Sequence, residues 1–202
     1  IGTMGYGTLT SAKGAAAKGA QYRPLKNNVS GTDLTTPDPI VLQEYLAYLV
    51  DDDCSAVALE ASSHGLAQGR LNGTQINVAV FTNMTRDHLD YHADFDSYHE
   101  SKQQLFSWEG LKTAVVNLDD EFGRRLCSSI GDGVEVLAVS ASSSEADIYG
   151  KDIRLHDDGL SFSVCSPWGE AKVRSPLVGR FNVHNLLSTL GVICSQSYGF
   201  EE

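Results

Sequence analysis

The strongest constraint on the fold is an alternation of short apolar runs with longer segments of helical periodicity. Residues 55–59, 76–81 and 113–117 are apolar runs too short for helices, and they predict buried strands of a parallel sheet. Four helices are expected around them, at about residues 39–51, 96–106, 119–130 and 182–197. The pattern predicts an α/β fold in which helices flank a mostly parallel sheet and ligands lie beyond the carboxyl ends of the strands.

The pattern changes from about residue 134 to residue 175. Short strand-like segments there are separated by Gly159 and by the turn at residues 167–169, and they predict a small antiparallel β appendage. Residues 1–36 show no sustained period, so loops with at most a short strand or helical turn are expected. A chain of 202 residues can bury one sizeable core, and one domain is the expectation.

Charge and cysteine content limit the classes of partner and the cellular location that we expect for this chain. The chain carries 26 acidic and 15 basic residues, for a net charge of −11, which disfavours nucleic acid and anionic membrane surfaces as partners. It contains neither an export signal nor an apolar run long enough for membrane insertion. The four cysteines are far apart and form no CxxC motif, which indicates reduced thiols and a cytoplasmic location. Because the sequence opens on Ile1 rather than Met, we expect a piece of a longer protein.

Polar side chains gather after two of the predicted strands, at residues 60–65 and 82–92. A carboxylate at a strand end, such as Glu60, can hold Mg²⁺ through oxygen, although a solvated carboxylate is an equal alternative. Residues 87–92 alternate His and Asp but lack the usual zinc spacings, so contact of one histidine with a ligand or Mg²⁺ is favoured over a zinc site. No GxSxG elbow and no GxxxxGK[ST] phosphate loop occurs. Taken alone, Lys102 would be a solvated helix lysine.

Three long segments carry a resemblance to a known family. Residues 60–70, 81–92 and 179–187 read EASSHGLAQGR, FTNMTRDHLDYH and GRFNVHNLL, and in this order they closely resemble the Mur ligases. The resemblance implies that residues 1–202 form the central, P-loop-NTPase-like ATP-binding domain of a three-domain ligase. The phosphate loop is then expected just upstream of Ile1. The N-terminal UDP-binding domain and the C-terminal amino-acid-binding domain would lie outside this chain.

The resemblance also implies an activity. In the family, ATP phosphorylates the D-glutamate carboxylate of UDP-N-acetylmuramoyl-L-alanyl-D-glutamate, and the amino group of the third stem-peptide residue attacks the acyl phosphate. The expected partners are this UDP-N-acetylmuramoyl-dipeptide and a diamino acid, meso-diaminopimelate rather than L-lysine as the commoner acceptor. A monomer is expected, and the chain by itself should lack ligase activity. Two alternatives stay open: a folylpolyglutamate or cyanophycin synthetase-like ligase, which residues 62–70 argue against, and a non-catalytic binding module.

Site residues follow from the same resemblance. Glu60 and His88 are similar to Mg²⁺ ligands. Lys102 is similar to the lysine that the family carbamylates, and a carbamate supplies oxygen ligands in place of an amine. Carbamylation requires a neutral amine and so implies a lowered pKa. Together Lys102 and His88 form the expected catalytic set. The positions similar to muramoyl-dipeptide contacts are Thr35, Thr36, Ser62, Gln68 and Arg70. Those similar to ATP contacts are Asn83 and Asn185, with Asn182 bracing the loop beside them.

Overall fold

The structure is a computed structural model that describes residues 34–84 and 95–196, together with the backbone of residues 7–11 and 20–24. For residues 95–97 it likewise describes the backbone alone. The chain divides into two compact units, and we treat each one separately. Unit 1 comprises residues 1–74 and 89–104, and unit 2 comprises residues 75–88 and 105–202.

The described residues of unit 1 form one strand pair and three helices. Strand β1 (Gly7–Ser11) pairs antiparallel with β2 (Ala20–Pro24), so the N-terminal region holds two strands where one at most was expected. The helices are α1 (Pro39–Asp51), α2 (Ser63–Ala67) and α3 (Phe95–Gln103), and α2 packs against α3. Helix α1 begins where the sequence predicted, because Asp38 accepts a hydrogen bond from the Ile40 backbone N–H and proline occupies the first turn.

The strand predicted at residues 55–59 is wrong. Within the part of the chain that the structure describes, this run pairs with no strand, and most of its side chains are exposed, Val57 at 43%. An apolar run indicates that its side chains favour burial, but a strand also requires a neighbouring backbone to pair with. The described strands do not provide that neighbour for residues 55–59.

Unit 2 is built on a mixed sheet. Its six described strands follow the order β3 (Val78–Phe81), β4 (Thr113–Asn117), β5 (Glu135–Ser140), β6 (Ile148–His156), β7 (Gly159–Ser166) and β8 (Gly169–Ser175). Pairing is parallel from β3 to β6 and antiparallel from β6 to β8. The α/β class is therefore confirmed. The antiparallel part, however, is continuous with the main sheet, and β5 belongs to the parallel part rather than to the predicted appendage.

Helices cover both faces of this sheet. Helix α5 (Phe181–Ser195) packs on β3 to β6, and α4 (Glu121–Cys127) packs on β4. Strand β4 is buried along its whole length, with Val115 in the core beneath α5 and Val116 in the core on the opposite face. A 3-10 helix, Gln104–Ser107, supplies Phe106 to the latter core. The predicted helices are confirmed, and none of the described helices is long and apolar enough to cross a membrane.

Candidate functional site

In unit 1, a hydroxyl network joins the start of α1 to the start of α2. The Thr36 side chain is fully buried, and its Oγ1 lies 2.8 Å from the Glu60 carbonyl oxygen and 3.0 Å from Ser62 Oγ. The same oxygen accepts a 2.9 Å hydrogen bond from the Ser62 backbone N–H. Ser62 in turn caps α2 by accepting from Gly65 N at 3.0 Å. The Thr36 hydroxyl is therefore fully engaged within the protein and fixes the segment between Glu60 and Ser62.

Gly65 makes this arrangement possible. A Cβ atom at position 65 would lie 2.7 Å from both Cβ and Cγ2 of Thr36, closer than real Cβ contacts allow. Only glycine lets the first turn of α2 approach Thr36 this closely. The glycine within the 60–70 segment thus has a packing role that sequence patterns alone do not specify.

Arg70 completes the network from the turn after α2. Its Nη1 donates to the Thr36 carbonyl oxygen at 2.9 Å, and its Nε donates to Gln68 Oε1 at 2.9 Å, with Nη2 on the same oxygen. The structure thus joins four of the five residues expected to contact the dipeptide: Thr36, Ser62, Gln68 and Arg70. Thr35, the fifth, precedes Thr36 directly and is half-buried.

Glu60 and Lys102 are electrostatic neighbours in unit 1. Burial lowers the pKa of the Lys102 amine below its usual range, and the Glu60 carboxylate opposes that shift in part. The amine also lies 5.7 Å from the centre of the Tyr98 ring. Lys102 is thus not the solvated helix lysine that its sequence position alone would indicate. A larger fraction of this amine is neutral than of an exposed lysine.

The described residues include no group of three or more His, Cys, Asp or Glu side chains able to hold a metal ion. Glu60 offers a carboxylate, which is the donor type that Mg²⁺ prefers. His88, the other expected ligand, lies outside the described residues.

In unit 2, the asparagines expected at the nucleotide lie at the carboxyl edge of the parallel strands. Asn83 lies two residues after β3 and is exposed, and Asn185 lies in the first turns of α5 and is also exposed. Asn185 Nδ2 donates to Asn182 Oδ1 at 3.1 Å, and Asn182 Nδ2 donates to the Val178 carbonyl at 2.9 Å. Asn182 thus links Asn185 to the backbone just before α5.

Beside these asparagines lies a cluster that the sequence did not reveal, centred on Asp119. Its carboxylate accepts from Ser140 Oγ at 2.6 Å, Ala141 N at 2.8 Å, Ser142 Oγ and His184 Nε2, the last at 2.7 Å. Although desolvation opposes it, hydrogen bonding from Ser140, Ser142, His184 and Ala141 lowers the pKa of Asp119 to about 2. The carboxylate is therefore ionised at neutral pH and can only accept, so His184 Nε2 carries the proton.

Sequence reasoning placed Asp119 inside a helix over residues 119–130. The helix instead begins at Glu121, with Asp120 as its cap, because the Asp120 carboxylate accepts from Phe122 N at 2.8 Å and from Gly123 N at 3.3 Å. Asp119 is left at the end of β4, in the same strand-end position that drew attention to Glu60. The same criterion, applied to β4, would have found it.

A Mur ligase middle domain model matches residues 2–193, and the chain belongs to this family. The α/β fold of unit 2, with polar side chains at the carboxyl edge of its parallel strands, agrees with that family.

Among the relatives, the UDP-N-acetylmuramoyl-L-alanyl-D-glutamate--2,6-diaminopimelate ligase of Pseudomonas aeruginosa is 46% identical over 164 residues, which are 81% of this chain and 34% of that protein. The enzyme with the same name from Chromobacterium violaceum is 42% identical over 188 residues, 93% of this chain and 38% of that protein. The chain thus spans somewhat more than a third of the length of these relatives.

Solved structures agree with this assignment. A UDP-N-acetylmuramoyl-L-alanyl-D-glutamate--2,6-diaminopimelate ligase superposes with a TM-score of 0.78 at 37% identity, over 89% of this chain and 36% of that one. MurF from Acinetobacter baumannii superposes with a TM-score of 0.54 at 21% identity, over 61% of this chain and 26% of that one, which shows a shared fold alone.

Proposed function

We propose that this chain is the ATP-binding central domain of a ligase that joins 2,6-diaminopimelate to UDP-N-acetylmuramoyl-L-alanyl-D-glutamate during peptidoglycan synthesis. The relatives that share 42–46% identity over most of the chain carry this activity in their names. As a monomeric cytoplasmic enzyme, the full-length protein would use ATP and Mg²⁺. The separate central domain would not catalyse ligation.

The observation that carries the proposal is the partly buried amine of Lys102, which interacts electrostatically with Glu60. A neutral lysine amine can add CO₂ to form a carbamate, and burial raises the neutral fraction by lowering the pKa. The carbamate turns a cationic group into an oxygen ligand next to a second oxygen ligand. Glu60 and carbamylated Lys102 would then hold Mg²⁺, with His88 as a further ligand.

The bound metal ion would screen the negative charge that builds up between two anionic substrates. The chain's own groups would orient those substrates. In unit 1, Arg70 and Gln68 form a fixed polar surface, supported from below by Thr36 and Ser62, that suits carboxylate and phosphate oxygens.

In unit 2, the amide groups of Asn83 and Asn185 would bind the nucleotide at the sheet edge. They offer both donors and acceptors, as recognition of a base requires. With both substrates held, the dipeptide carboxylate would attack the γ-phosphorus of ATP, so that ADP leaves with the bridging oxygen and an acyl phosphate is formed. The amine of the diamino acid would then displace phosphate from the acyl phosphate.

The test is a ligation assay on the full-length protein with ATP, UDP-N-acetylmuramoyl-L-alanyl-D-glutamate and either meso-diaminopimelate or L-lysine. Mass spectrometry of the product and phosphate release are the two measurements. We expect amide product with meso-diaminopimelate. Failure to form product with either amino acid would overturn the proposed function.

A matched pair of variants tests the role of unit 1. Arg70→Lys removes the planar fork that binds Gln68 and Thr36, and we expect KM for the dipeptide to rise by about tenfold. Arg174→Lys, on the exposed side of β8 with its side chain 81% exposed, should leave KM unchanged. Equal effects of the two changes would contradict a dipeptide-binding role for Arg70.

A further inference from the structure

The first turns of α5 lack the usual end cap. The residue before the helix, Arg180, makes no side-chain capping hydrogen bond, so beyond the packing of Val183 in the core the polar groups of the helix start must be fixed in another way. Two side chains do this. Arg180 Nη2 donates to the Ala141 carbonyl at 3.3 Å, and His184 Nε2 donates to Asp119 at 2.7 Å.

Both tethers end on the same small region of unit 2. Ala141 lies just after β5, and its backbone N–H also donates to Asp119 at 2.8 Å. Asp119 therefore ties together the loop after β4, the loop after β5 and the beginning of α5. The side chains of Asp119 and His184 are only 20% and 22% exposed, so water competes weakly for the bond between them.

The tethered turn also carries the asparagine pair. His184 directly precedes Asn185, and Asn182 lies one half-turn earlier on the same helix. Asn185 is hydrogen-bonded to Asn182, and Asn182 to the Val178 carbonyl. Neither of these two hydrogen bonds reaches a strand of the sheet. The link from His184 to Asp119 joins the turn to the loop after the central strand β4.

We propose that Asp119 and His184 form a positioning pair that fixes the first turns of α5 and so pre-organises Asn182 and Asn185 for the nucleotide. Neither residue needs to contact the nucleotide itself. This inference rests on the proposed function for its catalytic readout. The charge-assisted hydrogen bond between His184 and Asp119 would hold the uncapped start of α5 in the geometry that binds the nucleotide.

The experiment compares His184→Ala, His184→Gln and wild type in the full-length protein. Glutamine is chosen because its side-chain N–H donor can replace His184 Nε2–H toward the carboxylate. His156→Ala is the matched control, since His156 also bonds a side chain, Ser161 Oγ at 3.0 Å, but it is the last residue of β6, at the hairpin with β7.

Three quantities are measured for each variant. They are the steady-state constants for ATP and dipeptide, the affinity for a fluorescent ATP analogue, and hydrogen–deuterium exchange of the peptide that contains residues 181–186. For His184→Ala we expect faster exchange in that peptide and a rise of about tenfold in KM for ATP, with kcat and KM for the dipeptide unchanged. His184→Gln should restore both quantities, and His156→Ala should change neither.

The outcomes separate this inference from the proposed function. Unchanged KM for ATP and unchanged analogue affinity in His184→Ala would overturn the positioning role, and so would an equal loss in all constants without rescue by glutamine. If wild type binds the analogue but forms no amide product, only the proposed function fails, and analogue affinity with exchange still decides the positioning role. If wild type binds no nucleotide, both are overturned.

Discussion

Replacing Asp119 by asparagine offers a quantitative test of the cluster at the end of β4. The carboxylate has a pKa lowered from its ordinary 3.8 to about 2, first of all by the hydroxyl of Ser140. This difference corresponds to at most about 2.4 kcal/mol, and solvent at the partly exposed carboxylate reduces it to about 1–2 kcal/mol. Asp119→Asn removes the charge and turns an acceptor into a donor that faces other donors. We therefore expect the variant to lose about that amount of stability at pH 7.

The sign of the pH dependence follows from the lowered pKa. The folded state binds the Asp119 proton more weakly than the unfolded state, so the stabilisation is complete above about pH 4 and is lost as the pH falls toward 2. At pH 3 about half of the difference between wild type and variant should remain. The two proteins should become similar in stability only in stronger acid.

Urea denaturation followed by tryptophan fluorescence measures this difference, because Trp108 and Trp168 both belong to unit 2 with Asp119. Asp158→Asn is the control. Asp158 pairs with Arg174 at 3.6 Å, but both side chains are more than three-quarters exposed, so its loss should hardly change the midpoint. A stability difference for Asp119→Asn that is the same at pH 7 and pH 3 would refute the electrostatic explanation, and so would its absence at pH 7.

Two further predictions concern packing and lysine chemistry. Gly123→Ala places a Cβ 2.0 Å from the Asn117 carbonyl oxygen, a backbone atom, so urea denaturation should show a loss of about 2–4 kcal/mol in the free energy of unfolding. Gly131→Ala, with open space around the added methyl group, should lower that free energy little. Equal losses in the two variants would argue against the clash. With ¹³C-bicarbonate, the protein should show a carbamate carbon signal by NMR. This signal should disappear in Lys102→Arg and persist in the control Lys112→Arg. A signal that persists in Lys102→Arg would assign the carbamate to another amine.

The helices were predictable because each signals itself locally. Pro39 begins α1 and spaced apolar residues mark α5 at Val183 and Leu187, both fully buried. Strand β4 was predicted at its observed bounds for a similar reason, since a fully buried strand is apolar throughout. The run at residues 55–59 is apolar too, yet it pairs with none of the described strands. Composition reports a tendency toward burial, whereas pairing depends on distant backbone.

The site was predictable to a smaller extent. The resemblance found Glu60, Lys102 and the dipeptide-contact residues as positions and implied a lowered pKa for Lys102. It did not show that burial causes this shift or that Thr36 is fully buried beneath Ser62. The Asp119 cluster depends on partners 21 to 65 residues away along the chain. No local pattern encodes such partners, because they meet only when strands and helices pack.

The contact between Thr36 and Gly65 constrains how this sequence can change over evolution. A Cβ atom at position 65 would collide with the Thr36 side chain. A substitution of Gly65 therefore fits only together with a smaller side chain at position 36. Relatives that differ here should differ at both positions together, so that two segments far apart in the chain are inherited as one unit.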